Sequence, residues 1–233
     1  MRREDLQLRY NEWHRQRLGE APDIDPRQLA FFDWLLDLVH PAPSADLLDV
    51  ACGQGEFLSY AAGRGLRVSG VDLSDLAVEA ARRRVPAAEV RVGEAESLPF
   101  EADSFDLVSC LGSLEHFPDP VASAREMQRV LKPSGEALIF VPNLFFLGHI
   151  WFGLRRGTQP TEGGQSFSEV YRSSEGWRDL LVQAGLTVRE FHPWNHIYAT
   201  NRVSPAATRF WNLVSRAVPR NGAYAFAFIC TRG

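Results

Sequence analysis

Between positions 46 and 141, short runs of apolar and β-branched residues alternate with longer stretches whose apolar positions recur every three to four residues. The short runs predict strands at 47–52, 67–72, 89–93, 105–110 and 137–141, and the longer stretches predict helices near 55–64, 74–84 and 120–131. Alternation of this kind builds βαβ units around a parallel sheet. Upstream, Leu29, Phe32, Leu36 and Val39 keep helical spacing over 26–40, with Pro26 suited to a first turn and Pro41 stopping the helix. Downstream, a helix over 174–184 is capped by Gly185, and strands are expected at 187–191 and 223–230. Two stretches stand outside the alternation: 144–171, rich in aromatics and glycine, and 192–222, which holds an apolar helix candidate at 205–218. Both fall where loops above the C-terminal edge of a sheet would lie.

Composition sharpens this α/β expectation. The chain has 233 residues, 45% apolar and 23% charged, with 25 basic side chains against 29 acidic ones and a formal net charge of −4. Disorder, a collagen-like repeat and a disulfide scaffold are excluded, and one domain over 1–233 is expected. The acidic balance lacks the positive field with which most nucleic-acid binders recruit phosphates, so no nucleic-acid partner is expected. Lys132 is the chain's one lysine, inside the turn signal Leu131-Lys132-Pro133-Ser134-Gly135; a solvated side chain is expected, and Schiff-base or Walker-type chemistry is disfavoured. Cys52, Cys110 and Cys230 each sit in an apolar run without a CxxC, which predicts buried, reduced thiols. No apolar run follows Met1-Arg2-Arg3-Glu4-Asp5, so no secretory signal and a cytoplasmic location are expected. The greasy window 137–154 is broken by Pro142, Asn143 and His149 and is not read as a membrane span.

Chemistry concentrates at successive strand ends. The first strand runs into Asp49-Val50-Ala51-Cys52-Gly53-Gln54-Gly55, a Gly-rich turn that lets backbone approach a ligand at a helix N-terminus. Leu58 stands where a dinucleotide-binding fingerprint needs its third glycine, which disfavours a pyrophosphate grip. The second strand ends at Asp72, a carboxylate placed to accept hydrogen bonds from ribose hydroxyls, and the third at Gly93-Glu94-Ala95. Plainer roles stay open: Asp49 or Asp72 capping a turn, Glu94 solvated in a loop.

Together with Phe105-Asp106-Leu107-Val108, Leu114-Glu115-His116-Phe117 and Arg129-Val130-Leu131-Lys132-Pro133, these motifs resemble the class I S-adenosylmethionine-dependent methyltransferases, and within them the ubiquinone and menaquinone methyltransferases. The resemblance covers about residues 45–143. It implies a Rossmann-like fold, a seven-stranded mostly parallel sheet with an antiparallel last strand and helices on both faces. It also implies a helical cap over 1–44 and a cofactor core over 45–143, and the insertions at 144–171 and 192–222 stand where a substrate lid would sit. S-adenosylmethionine is the implied cofactor, S-adenosylhomocysteine its product. By the same resemblance Gly53 and Gly55 pass beneath the methionine part, Asp49 orients its ammonium, and Asp72 holds the ribose. Leu73 packs on the adenine, whose edge Glu94 and the Ala95 backbone read. Cys110 and Leu111 offer carbonyls to the ammonium. In Tyr10-Asn11-Glu12-Trp13-His14, which resembles an aromatic cap over the cofactor, Tyr10 is assigned to it.

Departures narrow the branch. Cys110-Leu111-Gly112-Ser113 replaces the acidic or Asn residue followed by Pro-Pro and an aromatic that marks nucleobase amino methylases, and no Asp/Asn cluster of the metal-dependent catechol type is found, so no metal is expected. His116 is the candidate general base, for an acceptor whose proton must leave, though a structural histidine is an equally simple reading. Phe145, Phe146, Trp151 and His196 are candidate lining for an apolar or aromatic small acceptor, with a buried packing segment or a dimer contact an equal alternative for the aromatic stretch. Methylation of a protein or RNA, cofactor binding without catalysis, and a nicotinamide-dependent reductase remain as alternatives, and monomer and homodimer stay open.

Overall fold

The computed structural model describes residues 3–16, 24–157, 170–195, 213 and 217–233. Seven strands form one sheet: β1 (Asp46–Val50), β2 (Arg67–Asp72), β3 (Glu89–Val92), β4 (Phe105–Leu111), β5 (Leu131–Pro142), β6 (Leu186–Trp194) and β7 (Ala225–Arg232). Their spatial order is β3-β2-β1-β4-β5-β7-β6, and only β7 runs against the others. The expected Rossmann-like methyltransferase architecture is thus present. Among the described residues its longer helices are α1 (Arg3–Arg15), α2 (Pro26–Val39), α3 (Glu56–Gly63), α4 (Asp75–Arg84), α5 (Pro120–Val130), α6 (Leu147–Arg156) and α7 (Ser174–Gln183).

Central strands read as unbroken apolar runs because both faces are covered. Alternate residues feed two cores. Leu47, Leu107 and Leu138 pack beneath α2, α3 and α4, whereas Leu48, Val108 and Ile139 pack beneath α5 and α7. Local signals set the helix ends. Asp25 accepts a hydrogen bond from Arg27 N ahead of Pro26, Ser74 from Ala77 N, and Asp119 from Ala122 N ahead of Pro120.

Some boundaries differ from expectation. Strand β6 continues to Trp194, so 192–194 belong to the sheet, held by pairing with β7. Lys132 is not a simple solvated turn residue. Phe105 pairs with Leu131 but Leu107 with Glu136, which loops out 132–135 and swings the Lys132 ammonium between Asp46 (3.0 Å) and Asp106 (2.9 Å). All three cysteines are buried and reduced, as expected. The greasy window falls in β5 and α6, and among the described residues no helix is long and apolar enough to cross a membrane. The expected helix at 205–218 lies almost wholly outside the described residues.

Candidate functional site

Strand order reverses between β1 and β4, and a crevice opens at the C-terminal ends of the strands, the general position of ligand sites in open α/β sheets. Here it is a cavity of about 960 Å³, floored by the β1 and β2 tips and roofed by α1 and α2.

The chain leaves β1 through three left-handed residues, Ala51 (φ 60°), Gly53 (φ 54°) and Gly55 (φ 78°). Gly53 and Gln54 form wall, while Gly55 faces α4; a Cβ there would stand 3.0 Å from the Ala81 Cβ and 3.1 Å from its Cα, so only glycine fits. The turn is tied to the β2 tip: Cys52 N donates to Val71 O, and Gly53 N donates to Asp72 Oδ2 at 2.9 Å. Ser74 N donates to the other Asp72 oxygen at 2.8 Å. Burial pushes the Asp72 carboxyl above the usual range, while those backbone donors and the nearby His14 pull it back. Asp49 accepts from Ser109 Oγ at 2.7 Å, and burial, reinforced by the charges of Asp72 and Glu56, pushes its carboxyl up to about 7. Two buried acids on one wall make the floor receptive to a cationic ligand.

Around this floor, Leu73 and Glu94 line the cavity, Glu94 paired with Arg3 of α1 at 3.0 Å; Ala95 turns into the core. At the β4 end, the Cys110 side chain is fully buried in the sheet and its thiol is pushed up by burial, whereas Leu111, Gly112 and Ser113 form wall. The following turn places His116 on the wall, nearly buried, and burial lowers its imidazole to about 4. The Glu115 carboxylate lies 3.9 Å from His116 Nε2, beyond hydrogen-bond distance. From the roof, Tyr10 reaches the cavity, and Asn11 Oδ1 accepts from Ser74 Oγ at 2.6 Å.

Of the residues expected to line an acceptor pocket, Phe145 is 52% and Trp151 62% exposed. Phe146 is buried against the rings of His149 and Tyr224. None of the three is on the cavity wall, and His196 lies outside the described residues.

Residues 48–139 match the family described as "Methyltransferase domain". A demethylmenaquinone methyltransferase from Chlorobaculum parvum is 31% identical over 163 residues, 63% of this chain and 68% of that protein. The chain belongs to the class I S-adenosylmethionine-dependent methyltransferases. A nocamycin O-methyltransferase from Saccharothrix syringae is 43% identical over 109 residues, 43% of this chain but only 39% of that protein. In fold, the methyltransferase is similar to a geranyl diphosphate methyltransferase solved with GPP and sinefungin, with a TM-score of 0.66 at 18% identity, covering 88% of this chain and 79% of that one.

Several wall residues of the methyltransferase receive no site role of their own from the sequence: His14 from α1, Gln28 and Phe31 from α2, and Ser113, Phe117 and Pro118 after β4. Tyr10 and His14 stand four positions apart, one face of a helix, and that spacing was the available signal.

Proposed function

We propose that this methyltransferase methylates a small apolar or aromatic acceptor at a hydroxyl group, with His116 receiving the proton. The observation that carries the reading is a nearly buried imidazole, held neutral at physiological pH, lining the same cavity as Phe31 and Phe117. When bound, S-adenosylmethionine supplies a methyl group already activated on a sulfonium. The chain therefore has to orient two reactants and exclude water.

In this reading Asp72 accepts from the ribose hydroxyls, its two oxygens aimed by Gly53 N and Ser74 N. Asp49 ionises as it meets the ammonium, Gly53 lies beneath the methionine part with Gly55 shaping the turn, and Leu111, at the end of β4 beside Cys110, borders the same group. Leu73, Glu94 with the Ala95 backbone, and Tyr10 take the adenine side and the roof. Residues 1–44 act as the cap of a single domain. Phe31 and Phe117, rather than Phe145, Phe146 or Trp151, contact the acceptor. An imidazole nitrogen of His116 would take the hydroxyl proton as the acceptor oxygen bonds the methyl carbon, whose bond to sulfur breaks to leave the neutral thioether of S-adenosylhomocysteine. Nothing in this scheme calls on a metal.

Calorimetry with S-adenosylmethionine and S-adenosylhomocysteine tests the cofactor half, with Asp72→Ala expected to weaken binding about 10- to 100-fold. For the acceptor half, a panel of phenols, enols, polar metabolites, RNA and protein is incubated with the loaded enzyme. Product from phenols or enols alone, with a rate that His116→Gln lowers by about 100-fold or more, is expected; product from polar or macromolecular acceptors alone overturns it.

A further inference from the structure

The His116 side chain reaches the cavity from a single 3₁₀ turn, Leu114–His116, that follows β4. The chain enters this turn through Gly112, left-handed at φ 66°, whose N–H donates to Phe140 O at 2.8 Å. Between Glu115 and His116 lies one planar peptide unit, rigid about its C–N bond, and it is held at both ends. The His116 N–H donates to Ser113 O at 2.9 Å, and the Glu115 carbonyl accepts from Val170 N at 3.0 Å. The first bond closes within the turn itself, whereas the second comes from a distant part of the chain.

Residues 170–172 form a short strap ahead of α7, and the strap is itself anchored. Arg172 pairs with Asn143 in a parallel bridge, and its carbonyl accepts from Leu144 N at 3.0 Å. Asn143, fully buried just past β5, donates from Nδ2 to the carbonyls of Asn221 (2.9 Å) and Ala223 (2.7 Å), which ties the same point to the entry of β7. The Tyr171 ring is buried and stacks on His149, with centroids 5.0 Å and planes 5° apart. Ser173 then caps α7, accepting from Gly176 N. Val170 differs from these neighbours. Its side chain is 52% exposed and is not on the cavity wall, so what the turn receives from it is the N–H.

We propose that the strap at 170–172 is a positioning element for the reaction: by holding the Glu115 carbonyl, the Val170 N–H fixes the peptide plane that carries His116, and with it the place of the imidazole in the cavity. This rests on the reading of His116 as proton acceptor given above. Without the Val170 bond the plane is held at one end alone and can turn about the bonds that flank it. A reacting group displaced by about 1 Å can cost roughly 100-fold in rate, so a small rotation here is felt in the chemical step.

The test compares full-length wild type, Val170→Pro, Val170→Ala, His116→Gln and the double variant Val170→Pro/His116→Gln on the acceptor that the wild type methylates fastest. Val170→Pro, which lacks the N–H, is expected to lower kcat about 10-fold or more while leaving the acceptor KM and the S-adenosylmethionine Kd within about twofold of wild type. Val170→Ala keeps the N–H and should match wild type. On the His116→Gln background, Val170→Pro should cost less than about twofold more, because the imidazole it misplaces is already gone. A backbone ester at Val170, which deletes the N–H without adding a ring, asks the same question if the Val170→Pro chain fails to fold. An unchanged kcat in Val170→Pro, an equal loss in Val170→Ala, or an undiminished loss on the His116→Gln background overturns the proposal. A wild-type rate in His116→Gln alone is a different result: it overturns the reading of His116 as proton acceptor, and the role of the strap with it.

Discussion

The two rims of the cavity meet the same physical problem with opposite chemistry. On the β1 rim Asp49 is an acid that burial pushes up to about 7; on the β4 rim His116 is a base that burial pulls down to about 4. Desolvation penalises whichever form is charged, so both side chains are driven toward neutrality. What differs is the work each neutral group can do. A reluctant carboxyl gains most from a cationic ligand, which restores its ionisation, whereas a neutral imidazole offers a lone pair to a hydroxyl hydrogen while the same burial lowers its basicity. In the proposed reading, the β1 rim therefore waits for a charge, and the β4 rim for a hydroxyl.

The largest effect should come from removing the cost on the β1 rim. Asp49 has a folded pKa raised from 3.8 to about 7, so the stability it contributes is fully present below about pH 4 and is lost as pH rises to about 7. Three pH units correspond to about 4 kcal/mol. Asp49→Asn is thus expected to stabilise the free protein at pH 8 by up to that amount while weakening S-adenosylmethionine binding. Urea unfolding at pH 5 and pH 8, with calorimetry beside it, measures both. A variant no more stable than wild type at pH 8 would show that Asp49 is not desolvated as its burial indicates.

His116 should give a somewhat smaller effect of opposite slope. Its folded pKa lies below the ordinary 6.5, at about 4, so its contribution is present above about pH 6.5 and lost as pH falls through about 4, a swing of about 3 kcal/mol. Between pH 4 and 6.5 the two contributions oppose each other, and the wild type should look nearly flat on their account. Removing either exposes the other: stability should climb with pH in Asp49→Asn and decline with pH in His116→Gln. Parallel profiles in the two variants would break the comparison.

Third in size is a contrast between two glycines. Both Gly55 (φ 78°) and Gly65 (φ 86°) are left-handed, but a Cβ at Gly55 meets the Ala81 backbone, whereas at Gly65 it meets nothing within 4 Å. Gly65→Ala should cost only the conformational strain, about 1 kcal/mol; Gly55→Ala should cost about 2 kcal/mol or more and weaken cofactor binding, because the turn carrying Gly53 must shift. Denaturation midpoints and calorimetry on both variants decide it, and equal losses would mean that α4 yields.

How much of this was legible in the chain depends on whether the deciding force was local. Runs such as Asp46–Val50 are legible because burial on both faces leaves no polar alternation, and helix ends such as Pro26 and Gly185 are legible because they act within one turn. The acids at the β1 and β2 tips could be named from motif order, but not their pKa shifts, which come from the walls that enclose them. Lys132 was misread because a three-residue bulge brings Asp46, 86 positions away, to its ammonium. Within the cap segment His14 has no role of its own in the sequence, because helical spacing marks a face without saying what lies beneath it; the Asn11–Ser74 contact, 63 positions apart, decides that.

The smallest predicted effect tests the limit of that legibility. The aromatic run 144–152 suggested a lid, yet composition alone cannot distinguish an aromatic that covers a ligand from one that faces water. Trp151 is 62% exposed on α6, with Arg155 over its ring at 5.7 Å, and Phe145 is 52% exposed. Exposed substitutions away from buried networks usually change stability by no more than about 0.5 kcal/mol. Trp151→Ser and Phe145→Ser should accordingly leave both the melting temperature and the S-adenosylmethionine affinity close to wild type, whereas Phe31→Ala and Phe117→Ala, on the cavity wall, should raise the KM for the acceptor. An acceptor KM that responds to Trp151 and not to Phe117 would move the acceptor contacts from the β4 rim to α6, and with them the division of labour between the two rims.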